Sequence, residues 1–388
     1  MTPGARVAAA IGILDAIGEG QAAEQALTRW ARGSRYAGSK DRAAVRDHVF
    51  DVLRRRRSAA AMGAGADGRA LMIGSLRLQN LPPDDFFTVE GHAPAPLSDQ
   101  ERSVPAVPDD DGTRWNLPDW LLPEFRRSLG EGADAAGSLL GTRAPVTLRV
   151  NTGRIAREDA VTRLAAEGMI NAPNPVAETA LDVTEGARRI RNSASFTEGL
   201  VELQDAASQA VAAGLPEGAR VLDYCAGGGG KALAIAADPA RAVFAHDIDP
   251  RRMKDLGQRA ARAGVHITEL ATADLGAAAP FDVVFCDAPC SGSGAWRRSP
   301  DGRWTLTPER LEELAEIQQQ ILDAAASLVA PAGVLAYATC SVLRVENEDA
   351  VEAFLSRNPG WTCIHSERIN LSQHSDGFFA AHLTRLQE

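Results

Sequence analysis

Residues 219–247 read ARVLDYCAGGGGKALAIAADPARAVFAHD. An apolar run rich in strand formers, a glycine turn, an alanine-rich stretch and a second apolar run ending on Asp247 make a strand, turn, helix, strand unit. The alternation continues outward, with RRMKDLGQRAARAG (251–264) as a helix and ITELAT (267–272), FDVVFCD (281–287) and VLAYATC (334–340) as further strands. This pattern predicts an α/β fold with a doubly wound parallel sheet. Between the last two strands, Thr307 and Pro308 suit an N-cap and first helical position. Leu311, Leu314, Gln318, Ile321, Leu322, Ala325 and Leu328 then share one face, so a long covering helix is expected.

Glycines 227–230 let the chain turn sharply and let a ligand approach closer than a Cβ permits. A phosphate-cradling Walker loop is excluded, because Cys225 stands where its first glycine belongs and Ala232 where its Ser or Thr belongs. Gly227, Gly229 and Ala232 do fit the dinucleotide pattern, with Asp247 placed to hold a ribose. S-adenosylmethionine also carries a ribose, but it presents a sulfonium and an amino acid in place of a pyrophosphate. Asp223, Asp247 and Asp274 close three successive strands, and three acids favour the sulfonium ligand.

The cysteines are Cys225, Cys286, Cys290, Cys340 and Cys363, an odd and sparse set that fits a reducing cytoplasm better than a disulfide framework. Asp287 and Cys290 follow the fourth strand and Cys340 ends the fifth, so both thiols should face the crevice that holds the glycine turn. A thiolate adding to carbon 6 of cytosine makes carbon 5 nucleophilic toward a methyl donor. A base must then remove the carbon 5 proton, and Asp287 can hydrogen-bond ring nitrogen 3. The residues themselves do not choose between Cys290 and Cys340 as the attacking thiol. Cys286 and Cys363 read as core, and Cys225 as packing or lining the cofactor pocket. No metal site is expected, since Cys286 and Cys290 lack a CxxC spacing and no histidine lies in the motif.

The 388 residues are 45% hydrophobic and 24% charged, which suits two or three globular domains and excludes wholesale disorder. No apolar run approaches the roughly 18 residues of a membrane span. Asp15 and Glu19 interrupt the apolar start, so no signal peptide is expected and the location is read as cytoplasmic. A net charge of -10 argues against a surface that wraps nucleic acid everywhere, yet residues 1–70 are net +5 and residues 71–120 net -6. In the basic front, Val7, Ile11, Leu14 and Ile17 share one helical face and Val45, Val49, Val52 and Leu53 another, with Ser39 as an N-cap. A helical domain over 1–130 is expected. Arg42, Arg46 and Arg54 to Arg57 are placed to meet phosphates. Residues 91–113, with Pro94, Pro96, Pro105, Pro108 and an acidic DDD, read as a linker, and NLPDWLLPEF after them as docking anchors. Residues 140–200 alternate VTLRVN, REDAVTRLAAEG and a strand near Ala180 to Val183, a small α/β subdomain before the sheet domain of 201–388.

DYCAGGGGKA, AHDIDPRRM, DAPCSGSGAWRRSPDGRW, YATCSVLRVENEDAV and DGFFAAHL resemble, in order and spacing, the RNA cytosine-5 methyltransferases of the RsmB/Nop/Sun family. The resemblance covers about residues 145–388. The front, through SKDRAAVRDHVFDVLRRR, resembles the NusB-like RNA-binding domain of the bacterial 16S rRNA branch. The resemblance implies a Rossmann-like class I methyltransferase sheet behind an all-α NusB-like domain. It further implies Cys340 as nucleophile, Cys290 assisting release of the methylated base, and S-adenosylmethionine held by Cys225, Ala226, Gly227, Gly228, Gly229, Gly230 and Lys231 with Asp247, Arg252, Asp274 and Asp287.

The expected substrate is RNA, rRNA before tRNA, acted on by a monomer without metal or membrane partner. The target base must leave its stack. Arg149, Asn151, Arg297 and Arg298 join the front arginines as phosphate-contact candidates. A nicotinamide-dependent oxidoreductase would leave the DAPC and TCS motifs idle, and a noncatalytic RNA-binding assembly factor would need neither thiol. The family turn reads Cys-Ala-Ala-Pro-Gly-Gly-Lys-Thr, whereas here Gly227 and Gly228 replace Ala-Pro and Ala232 replaces Thr. Loss of the proline is expected to loosen the turn and puts cofactor affinity in question.

Overall fold

A computed structural model describes residues 1–386. The chain forms two compact units, one of residues 1–143 together with 296–306, the other of residues 144–295 and the chain after 306.

The first unit is helical. It begins with α1 (Pro3–Gly18), α2 (Ala23–Gly33), α3 (Ser39–Arg54), α4 (Arg56–Gly63) and α5 (Gly68–Leu78). Thr2 caps α1 by accepting from the Ala5 amide at 3.2 Å, with Pro3 at the first position. Val7 and Leu14 join Val45, Val49, Val52 and Leu53 in one core with Leu71, Met72 and Leu76, while Ile11 and Ile17 pack at its margin. Each such aliphatic side chain contributes about 1.5–3 kcal/mol by leaving water. Ser39 is the first helical residue of α3 and not its cap. Gly38 holds that place without a side-chain bond. The Pro-rich stretch is pinned down: Ser98 and Glu101 form a capping box on the short helix Asp99–Arg102, Leu97 is buried, and Arg69 reaches the Ala95 and Pro96 carbonyls. The same guanidinium pulls the Glu101 carboxyl down to about 2.

Residues 296–306 complete this unit from far along the chain. Trp304 Nε1 donates to the Leu53 carbonyl at 2.7 Å, and buried Arg303 donates to the carbonyls of Asn116 (3.4 Å) and Leu140 (3.1 Å). Arg54 Nε in turn donates to the Arg297 carbonyl at 2.7 Å. Leu53 and Leu140 lie in the last turns of helices, whose carbonyls have no intrahelical donor, so the segment supplies what those helix ends lack. Apolar periodicity carries no trace of such contacts, and the expected 201–388 domain is interrupted without warning in the sequence.

The second unit contains two sheets. β1 (Val146–Val150), β2 (Ile170–Pro173), β3 (Ala180–Glu185) and β4 (Val201–Leu203) form an antiparallel sheet in the order β2-β3-β1-β4 around Leu148, Val150, Leu164, Leu181 and Val201. β2 and β4 are short, at four and three residues, and β2 is largely exposed, so neither makes a run long enough to read as a strand from the sequence. β4 also carries the small sheet past residue 200.

The larger sheet comprises β5 (Arg220–Asp223), β6 (Ala242–Ala245), β7 (Ile267–Glu269), β8 (Phe281–Asp287), β9 (Val329–Thr339), β10 (Trp361–Ile369) and β11 (Phe378–Arg385). Its order is β10-β11-β9-β8-β5-β6-β7, with β5 to β9 parallel and β11 antiparallel to both β9 and β10. Strand order reverses at β5, which has β6 on one side and β8 on the other, and the crevice over that reversal is where such sheets bind ligands. Thr307 caps the helix Pro308–Ala326 by accepting from the Arg310 amide at 3.2 Å, and Leu311, Leu314, Gln318, Leu322 and Ala325 are buried beneath it. Among the described residues, no helix is long and apolar enough to cross a membrane.

Candidate active site

The chain leaves β5 at Asp223 and turns through the glycines into the helix Gly230–Ile235. Gly227 and Gly229 take φ of +52° and +77°, and a Cβ on Gly229 would stand 2.2 Å from Leu256 Cδ1. Both positions therefore need glycine. The loss of proline from the turn is met by tethers. Asp247 Oδ2 accepts from the Gly227 amide at 2.9 Å, Arg259 donates to the Gly228 carbonyl, and Gln204 Nε2 to that of Gly230 at 3.3 Å.

Beside the turn lies a cavity of about 310 Å³ whose wall includes Cys225, Asp247, Ile248, Arg252, Ile317 and Ile321. Asp247 is 4% exposed and pairs with Arg252 at 3.0 Å. Ile321, expected on the covering face, lines the cavity, and Ile317, Gln320 and Ala324 join it from a neighbouring stripe of the long helix that sequence periodicity did not single out. Asp274 is exposed on the short turn Thr272–Asp274 and does not line the cavity.

Asp223 is buried beneath the turn, and neither carboxyl oxygen has a hydrogen-bond partner among the described residues. Burial first and the Asp287 charge second push its pKa up to about 7, against the pull of Lys231. The arrangement fits a cationic, ribose-bearing ligand: an orphaned acid, a second acid at ribose position and apolar walls. The folded protein holds a proton on Asp223 that an unfolded carboxyl, with its ordinary pKa of 3.8, would release. This contribution to stability is complete below the unfolded value and is lost as pH rises through about 7. The ligand-free protein should therefore lose several degrees of Tm across that range relative to Asp223→Asn, in scanning calorimetry. Equal slopes in the two proteins would remove the buried-acid account.

Lys231 Nζ meets Asp287 Oδ2 at 2.6 Å. Burial is the largest single influence and opposes its charge, but Asp287, with Cys340 and Asp223 adding to it, raises the ammonium above its ordinary range. The β8–β9 register sets Asp287 beside Ala338, so the loops after both strands emerge together. Cys290 Sγ and Cys340 Sγ lie 3.5 Å apart. The Cys290 thiol is pushed well up, first by its hydrogen bond to Cys340 and then by burial. Two thiolates this close repel, so one ionises at a time. Burial also raises Cys225 and Cys286. Cys363, expected in the core, is only partly buried on β10, where its thiol donates to the His365 carbonyl at 3.1 Å beside a bulge.

Buried Glu346 ties the two loops together, and sequence reasoning did not find it. Its Oε1 accepts from the Ser291 amide (2.7 Å) and Gln318 Nε2 (3.3 Å), and its Oε2 from the hydroxyls of Ser291 and Ser341, both at 2.5 Å. Ser293 adds a 2.8 Å contact to Ser341. The available signal is the repeated Cys-Ser pair at 290–291 and 340–341 with an acid shortly after. Glu346→Gln sets an amide N–H against these donors and should lower kcat by about a hundredfold through misplacement of the thiols. Calorimetry should show cofactor affinity unchanged, and an unaltered kcat would refute the positioning role.

The phosphate-contact candidates fare differently. Arg149 is buried on β1, with Nε and Nη1 lacking partners among the described residues, and burial lowers its pKa to about 10. Asn151 donates to the Gly199 and Ala263 carbonyls at 3.1 and 2.8 Å, and Arg297 is buried while Arg298 is exposed. At the front, Arg42 donates to the Ala37 carbonyl, Arg46 pairs with Glu24, Arg54 and Arg55 reach carbonyls, Arg56 lies over Trp304 and Arg57 pairs with Asp119. Each of these front arginines has a partner within its own unit, while Arg298 is exposed.

A family model described as 16S rRNA methyltransferase RsmB/F matches residues 211–384, and one for an RsmF/B-like ferredoxin-like domain matches residues 117–188. Ribosomal RNA small subunit methyltransferase B of Xanthomonas campestris pv. campestris is 34% identical over 308 residues, spanning 74% of this chain and 69% of the relative. The protein of that name from Xylella fastidiosa (strain Temecula1) is 35% identical over 308 residues, spanning 74% and 70%. The crystal structure of PH0851 superposes with a TM-score of 0.77 at 22% identity over 99% of each chain, a likeness of fold.

Proposed function

The chain belongs to the 16S rRNA methyltransferase RsmB/F family, and from that membership we propose that it methylates carbon 5 of a cytosine in 16S rRNA through a covalent bond between Cys340 and the base. The observation that carries this reading is the Cys290–Cys340 pair, 3.5 Å apart beside the Lys231–Asp287 ion pair. S-adenosylmethionine, when bound, supplies the methyl group. Cys225 to Lys231, Asp247, Arg252 and Asp287 would hold it, Asp247 offering a carboxylate for ribose hydroxyls, Asp223 an acid for the cationic end and Ile248, Ile317 and Ile321 an apolar wall. Asp274, exposed and outside the lining, is assigned no contact.

Cys340 attacks as the thiolate, near the Lys231 ammonium. Its sulfur bonds to carbon 6, and the ring electrons move toward carbon 5, where the methyl group is accepted. Lys231, paired with Asp287, lends a proton through that carboxyl to nitrogen 3 as negative charge develops there, and the pair recovers it when the ring double bond re-forms. Cys290, having released its own proton to solvent once Cys340 is bonded to carbon, takes the carbon 5 proton as the thiolate, the carbon 5–carbon 6 double bond re-forms, and Cys340 departs as the thiolate. The order of these roles has a physical basis. The first cause of the raised Cys290 pKa is its bond to Cys340. Once the Cys340 sulfur is bonded to carbon it carries no charge, so Cys290 ionises more readily after the adduct forms than before.

Unmodified 16S rRNA and total tRNA, incubated separately with the protein and radiolabelled S-adenosylmethionine, test the reading when followed by bisulfite sequencing. Label should enter 16S rRNA with protection of a cytosine. Label without bisulfite protection would sink the carbon 5 assignment, and labelling of tRNA alone would change the substrate.

A further inference from the structure

Resting on the reading of RNA as substrate, we propose that the helical unit carries a stacking cleft for unpaired RNA bases, formed by Trp30, Tyr36 and His92. The cleft has a volume of about 480 Å³, and α1 contributes only small side chains to it, Ala5 and Ala9 among them. Its far wall is fixed. A Cβ on Gly4 would stand 2.6 Å from Ala93 Cβ and 2.7 Å from the Phe86 carbonyl oxygen, so the glycine lets the segment bearing His92 lie directly on α1. Tyr36, in the turn between α2 and α3, is 74% exposed, and Trp30 only partly packs against the core. A rigid concavity with exposed aromatic faces is poorly explained by folding alone.

Charge selects the occupant. Residues 29–42, RWARGSRYAGSKDR, hold five cations and one carboxylate. Arg42 is engaged with the Ala37 carbonyl, and Asp41 with Arg6. Arg29, Arg32, Arg35 and Lys40 are exposed, and no hydrogen bond or ion pair among the described residues engages them. Arg35 and Lys40 flank Tyr36 along the chain, and Arg29 and Arg32 stand on α2 beside Trp30 in sequence. Arg29 and Arg32 line a separate concavity on α2, so Arg35 and Lys40 are the cations next to the cleft. An aromatic face flanked by unengaged cations suits a single strand, whose bases stack while its phosphates meet the charges. A duplex keeps its bases stacked on one another and offers no free ring. The cations that sequence clustering nominated are committed elsewhere, and these four remain available.

Full-length protein should be titrated with a fluorescent 20-nucleotide unstructured RNA and with an RNA duplex of the same length. Tyr36→Ala should weaken single-strand binding about tenfold and leave duplex binding unchanged, while Tyr36→Phe, which keeps the ring, should retain affinity. Arg35→Glu with Lys40→Glu should lower the slope of log affinity against log salt by roughly 1.4, two phosphate contacts on a single strand. Unchanged affinity in Tyr36→Ala, equal losses on both RNAs, or an unaltered salt slope would each overturn the proposal. Binding is read without methyl transfer, so loss of the stacking effect with methylation intact defeats this inference alone. The converse result defeats the catalytic reading alone.

Discussion

Cys340→Ala should lower kcat by at least about a thousandfold, the equivalent of roughly 4 kcal/mol of lost transition-state stabilisation. Cofactor affinity should hold, because Cys340 lies outside the cavity wall. Without a thiolate on carbon 6, carbon 5 of cytosine has too little electron density to attack a methyl group, and no other side chain in the site is an equivalent nucleophile. On the proposed assignment Cys290 serves the carbon 5 proton, so it is not expected to attack carbon 6 in place of Cys340. Single-turnover methylation of 16S rRNA, with calorimetric binding of S-adenosylmethionine alongside, separates chemistry from binding. Normal turnover by the variant would end the covalent mechanism.

Cys290→Ala should have a different signature. Attack by Cys340 and methyl transfer proceed, but the carbon 5 proton is no longer removed efficiently, so the enzyme should remain joined to its product. A slowly migrating protein–RNA band on a denaturing gel is expected, dependent on S-adenosylmethionine and absent when Cys340 is also replaced. Overall turnover should drop by about 10²–10⁴, the range of a lost general base. If no band forms with RNA that the wild-type protein methylates, Cys290 has no part in release.

The sheet was legible because its strands are buried on both faces and read as unbroken apolar runs, as in Val283 to Cys286 and Val334 to Ala338. Cys290, Cys340, Lys231 and Asp287 were legible because each sits where a strand or turn ends, and strand ends converge in this topology. Glu346 was not, since its importance lies in joining two loops whose proximity appears only after β8 and β9 pair. Arg149 misled for a related reason. A guanidinium in VTLRVN reads as surface, yet the strand is central in its sheet and the side chain is buried. Clustered arginines at the front likewise signalled charge without revealing their partners within the same unit, such as Glu24 for Arg46 and the Ala37 carbonyl for Arg42.

The segment 296–306 bears on how the protein is made. Synthesis proceeds from the amino end, and N-terminal domains ordinarily fold as they emerge. Here the helical body must wait for Arg303 and Trp304, encoded more than 150 residues after its other residues end at Arg143. Until then the carbonyls of Leu53, Asn116 and Leu140 lack the donors they have in the finished fold. A gene fragment ending near residue 143 would thus encode an unfinished body, and exchange of this front between relatives would succeed only if the distant segment travelled with it.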